Sequence, residues 1–110
     1  MPVSLIKAEF LISHEKDILG FHIKGHSGFD SSGRDIICAF VSSVAYMTAN
    51  TVTEIIGVDA VAEENDGEML VRVDKKDAAK CRDIFQGLKL HLINTEEQYP
   101  NYLKVIFTEV

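Results

Sequence analysis

The chain has 110 residues, 46% of them hydrophobic and 25% charged, the make-up of one globular domain, residues 1–110, able to bury a core unaided. Seventeen acidic residues against eleven basic ones leave a net charge of -6, which argues against a nucleic-acid grip built on clustered Lys and Arg. The same charge favours a basic partner at long range. Two cysteines, Cys38 and Cys81, are too few for a disulfide scaffold and are expected as reduced thiols. No apolar run is expected to approach the ~18 residues of a membrane span, and the start MPVSLIKAEF lacks a basic region ahead of a long apolar stretch. The expected address is the cytoplasm, with no membrane contact.

In chain order, residues 3–12 alternate, with Ile6, Ala8, Phe10 and Ile12 on one face and Lys7 and Glu9 on the other, a strand pattern. Polar residues 14–17 make a turn into a second strand, where Leu19, Phe21 and Ile23 share a face, so the pair reads as a hairpin. Residues 25–35, GHSGFDSSGRD, have the glycine and serine content of a loop. Asp35 is a plausible N-cap for a helix over residues 36–56, ended by Gly57. That helix is apolar on more than one side, which predicts burial on several faces, part of it by a second subunit. Strand-like residues 58–62 and 69–73 flank the turn Glu63-Glu64-Asn65-Asp66-Gly67. From Asp77 a second helix carries Cys81, Ile84, Phe85, Leu88 and Leu92 at helical spacing, and residues 102–110 alternate as a last strand. The order β-β-α-β-β-α-β predicts an α+β fold, with both helices on one face of a mostly antiparallel sheet.

With Asp35 as the cap, Cys38 falls in the first helical turn. Unpaired amides and the helix dipole there favour a thiolate. Cys81 sits on an apolar stripe, where burial raises the thiol pKa and hides the sulfur, so it reads as a core residue. For Cys38, position alone leaves both a small core residue and a nucleophile open. A nucleophilic thiol needs a base. His14 and His91 read as solvent-facing and His22 as a surface residue of its strand. His26, between Gly25 and Gly28 at the start of the loop leading to Cys38, is the best-placed base, although the spacing is not diagnostic. Asp35 either caps the helix or orients His26, and the amides at the helix start, that of Cys38 included, suit an oxyanion hole. Cys38, Cys81 and the histidines do not have zinc-site spacing, and no phosphate loop, CxxC or HExxH occurs. Neither metal nor cofactor is expected.

Residues 25–42, GHSGFDSSGRDIICAFVS, resemble the GHxGxxxxGxDIxCAxVS signature of the bacterial ribosomal-processing cysteine protease family, Prp. Gly25, His26, Gly28, Gly33, Asp35, Ile36, Cys38, Ala39, Val41 and Ser42 all fall in place. The resemblance implies a Cys-His dyad, with Cys38 as nucleophile and His26 as base, in a homodimeric endopeptidase. It implies a substrate too: a short N-terminal extension of large-subunit ribosomal protein number twenty-seven, cut next to an aromatic residue. It further implies that the loop holding Gly25, Gly28 and Gly33 closes over the peptide and brings His26 to Cys38. The alternative from another class is a non-enzymatic dimeric ribosome-associated interaction protein, whose Cys38 would react as an ordinary thiol.

Overall fold

A computed structural model describes residues 5–25, 32–65 and 67–110, with the backbone alone over 32–35. The elements are β1 (Ile6–Ile12), β2 (Ile18–Lys24), α1 (Ser32–Asn50) running into a π-helical turn (Thr51–Ile56), β3 (Ala60–Asn65), β4 (Glu68–Val73), a 3-10 segment (Lys75–Cys81), α2 (Arg82–Gln98) and β5 (Leu103–Glu109). The strands form one mixed sheet in the order β3-β4-β2-β1-β5. Every pairing is antiparallel except β1 with β5, which run parallel because α2 carries the chain back across the sheet.

Strand alternation decides which sheet face is covered. Ile6, Ala8, Phe10, Phe21, Ile23, Val71 and Leu103 turn inward and meet Ile37, Val41 and Ala45 of α1 and Phe85, Leu88 and Leu92 of α2 in one core. Phe21 meets Phe85 edge-on at 6.4 Å between ring centres. Lys7, Lys24 and Lys104 stay on the exposed outer face. The predicted α+β fold, with its hairpin of β1 and β2, is the one observed. A register shift at Leu11/Ile12 ends the even alternation, and Leu11 is buried along with Phe10 before it, while Ile12 is half-buried.

The first helix ends where expected, at Gly57, whose N–H bonds back to the Val52 carbonyl at 3.0 Å. Before that end, Thr48, Thr51 and Thr53 each donate a hydroxyl to the carbonyl four residues earlier, at 2.7, 2.7 and 3.2 Å. Such back-bonding loosens a helix, and the widened turn coincides with it. Residues Ile36–Ile56 form 21 continuous helical residues, long and apolar enough by length and composition to cross a membrane. That corrects the expectation that no run reaches this size. The same properties suit a core helix, and Ile37, Val41, Ala45 and Val52 on its inner side lie in the core. Its outer side presents Ile36, Phe40 and Met47, each more than half exposed (58, 51 and 52%).

Candidate active site

Cys38 stands on α1 with its side chain buried against the end of β2. β2 stops at Lys24, and Gly25 takes φ 85°, a left-handed turn that suits glycine. The Gly25 N–H donates to the Gly67 carbonyl at 2.7 Å, which ties the strand end to the β3–β4 hairpin. The Gly25 carbonyl in turn accepts from the Cys38 thiol at 3.7 Å. The thiolate is the nucleophilic form of cysteine, so attack by Cys38 on an acyl carbon requires a base to take the thiol proton. His26 directly follows Gly25 in the chain. The imidazole of His26, the loop residue Gly28 and the Asp35 carboxylate lie outside what the structure describes.

The helix start differs from the expected one. α1 begins at Ser32, one turn earlier, so Gly33 and Asp35 lie within the helix, and Asp35 is not its N-cap. Cys38 is therefore in the second turn. The unpaired amides of a helix belong to its first four residues, here 32–35, so the Cys38 amide is not an orphan donor for an oxyanion. Dipole stabilisation of a thiolate is weaker there as well, since it falls off beyond the first turn. Asp30, Ser31, Ser32 and Asp35 are all of cap-forming type, and their order alone does not rank them.

Cys81 is a core residue, as its stripe predicted, although it ends the 3-10 segment rather than sitting mid-helix. Burial pushes its thiol pKa up, the nearby Asp77 carboxylate adds to this, and Lys80 opposes it. His14 and His91 are exposed, as expected. His22 is more than a surface residue. On the outer sheet face its Nδ1 stands 3.5 Å from Glu9, its Nε2 contacts Glu68, and Lys24 lies 3.9 Å from Glu68. The hairpin register pairs Glu9 with His22 and was open to sequence reasoning; Glu68 arrives from a distant strand and was not. The two ring nitrogens face different carboxylates, and among the described residues no three His, Cys, Asp or Glu converge as metal ligands. A hollow of about 450 Å³ lined by Ile12, Lys16, Ile18 and Phe107 lies at the other end of the sheet, and no cysteine is among its lining residues.

A buried thiol held at a strand end by a glycine carbonyl, on an α+β frame of this order, defines a candidate thiol hydrolase of small size. The family model for cysteine protease Prp matches residues 5–104, and the chain belongs to that family of cysteine peptidases. It is 29% identical over 107 residues to the ribosomal processing cysteine protease Prp of Bacillus subtilis (strain 168), covering 92% of this chain and 96% of that one. Its fold superposes on the essential ribosomal processing protease Prp from S. aureus solved with a substrate peptide, with a TM-score of 0.85 at 19% identity over 94% of this chain and 100% of that one. The same S. aureus protease with a covalently linked product peptide gives a TM-score of 0.82 at 20% identity, with the same coverage.

Proposed function

We propose that this cysteine peptidase removes a short N-terminal extension from large-subunit ribosomal protein number twenty-seven, with Cys38 as nucleophile and His26 as general base. The contact between the Cys38 thiol and the Gly25 carbonyl carries the reading, because it brings the residue directly before His26 to the sulfur. The family match and the ribosomal-processing relative support the substrate class. In the reaction, His26 takes the thiol proton and the thiolate attacks the scissile carbonyl. His26 then returns that proton to the leaving amine, and water releases the acyl-enzyme. Asp35, inside the first turns of α1, is the candidate to orient His26. Gly25, Gly28 and Gly33 shape the connection between base and nucleophile. The whole chain acts as one domain, in the cytoplasm, as a homodimer joined through the apolar outer side of α1.

The test is cleavage of a synthetic peptide spanning the extension, followed by mass spectrometry. The wild type should yield one cut and a transient acyl-enzyme on Cys38. Cys38→Ala and His26→Ala should each lose at least about a hundred-fold in rate, the scale of general-base catalysis. Unchanged cleavage by Cys38→Ala sinks the assignment.

A further inference from the structure

The sheet has two open edges, β3 and β5, and they are finished differently. On β5 the Glu96 carboxylate of α2 accepts the Val105 N–H at 2.8 Å, so that edge is partly occupied. On β3 the backbone pairs only with β4 among the described residues, and five of its six residues are exposed. Glu63 and Glu64 stand on this strand, and neither joins an ion pair among the described residues. Between β3 and α1 runs a hollow of about 200 Å³, and Tyr46, Asn50, Glu63, Glu64, Met69 and Leu70 are among the residues that line it.

The hairpin that carries this edge is linked to the thiol by two contacts. Gly67 of the β3–β4 hairpin accepts from Gly25, whose carbonyl accepts from Cys38. Tyr46 stands eight residues further along α1 than Cys38, roughly 12 Å by helical rise, the length of about four residues of extended chain. An extended peptide lying there would send alternate side chains toward the hollow and toward the outer face. Glu64, paired with inward Met69, and Glu63, paired with Leu70, both border the hollow, so side chains of either set pass a carboxylate. A second copy of this chain pairing edge to edge would set carboxylates against carboxylates, which disfavours it. A basic strand meets complementary charge.

We propose that the substrate peptide docks as a sixth strand on the open edge of β3, where Glu63 and Glu64 select Lys or Arg about four residues from the scissile bond. The inference rests on the protease reading above and assigns the specificity of that same site. It is tested with two quenched fluorescent peptides that share one scissile segment and carry a Lys–Lys or a Glu–Glu pair four residues away, placed on each side in turn. The wild type should prefer the Lys–Lys peptide by about ten-fold, chiefly through KM, as two exposed charge pairs allow. Glu63→Lys/Glu64→Lys should reverse that preference. The matched double reversal Glu15→Lys/Asp83→Lys, on the hairpin turn and at the start of α2, should not. N-methylation of alternate peptide amides should raise KM by about ten-fold, because strand addition needs those N–H groups. Cleavage with no charge preference, an unaltered preference in Glu63→Lys/Glu64→Lys, or full activity on the N-methylated peptides overturns the docking mode alone. If neither peptide is cut and Cys38 resists a peptide chloromethyl ketone, the protease reading falls and the docking mode with it.

Discussion

Adding one methyl group at Gly20 and at Gly87 should change stability in opposite directions. Gly20 lies buried in β2, between β4 and β1, and pairs with Arg72 and Leu11. A Cβ at Gly20 would stand 2.0 Å from the Val71 carbonyl oxygen and 2.8 Å from the Arg72 Cα. Both obstacles are backbone, so no rotamer change relieves them, and moving β2 off β4 presses it into β1. Overpacking of this kind costs about 1–3 kcal/mol, and each ladder bond strained open adds about 1 kcal/mol. Gly20→Ala should therefore lose roughly 3 kcal/mol, a fall of roughly 15 °C in Tm. Gly87 is exposed on α2 with nothing within 4 Å of a Cβ, so Gly87→Ala should gain about 0.5–1 kcal/mol. Urea unfolding followed by circular dichroism measures both. A Gly20→Ala protein within about 0.5 kcal/mol of wild type would refute the close approach of β2 to β4.

Four further outcomes are expected. Cys81, buried and with its pKa raised, should stay unlabelled by iodoacetamide in native protein and react only on unfolding, as read by mass spectrometry of labelled peptides. A raised folded-state thiol pKa contributes stability that is present below the unfolded thiol value and lost as pH rises through the folded one. The Cys81→Ala variant should accordingly show a flatter fall in stability above about pH 8.5. Glu109 is held below the usual carboxylate range by the Lys16 hydrogen bond first and His14 second. Its carboxylate should therefore stay ionised to lower pH, and Lys16→Ala should move its NMR titration midpoint back up; an unmoved midpoint refutes the pairing. Phe40→Glu, on the outer side of α1, should convert a dimer to monomer in analytical ultracentrifugation without loss of helix content. A wild type that sediments as a monomer removes that interface.

Local pattern carried much of the fold. Ile6, Ala8, Phe10, Phe21 and Ile23 are buried because alternation of period two leaves a strand only one apolar face to cover. Gly57 ends the helix because a left-handed residue stops the ladder, and Cys81 is in the core because its neighbours at helical spacing are apolar. Membership of the family was also legible, through the signature over residues 25–42, and the family match over residues 5–104 bears it out. Tertiary structure decided what depends on residues distant in sequence. It chose Ser32 over Asp35 as the start of α1, which moved Cys38 out of the first turn that had been its reason to ionise. It set β5 parallel to β1, brought Glu68 to His22, and drew Gly67, Gly25 and Cys38 into one chain of contacts. Neighbours along the chain follow from backbone geometry that each residue type favours by itself. Contacts across strands follow from which surfaces must be buried together, and only the packed sheet and helices specify that.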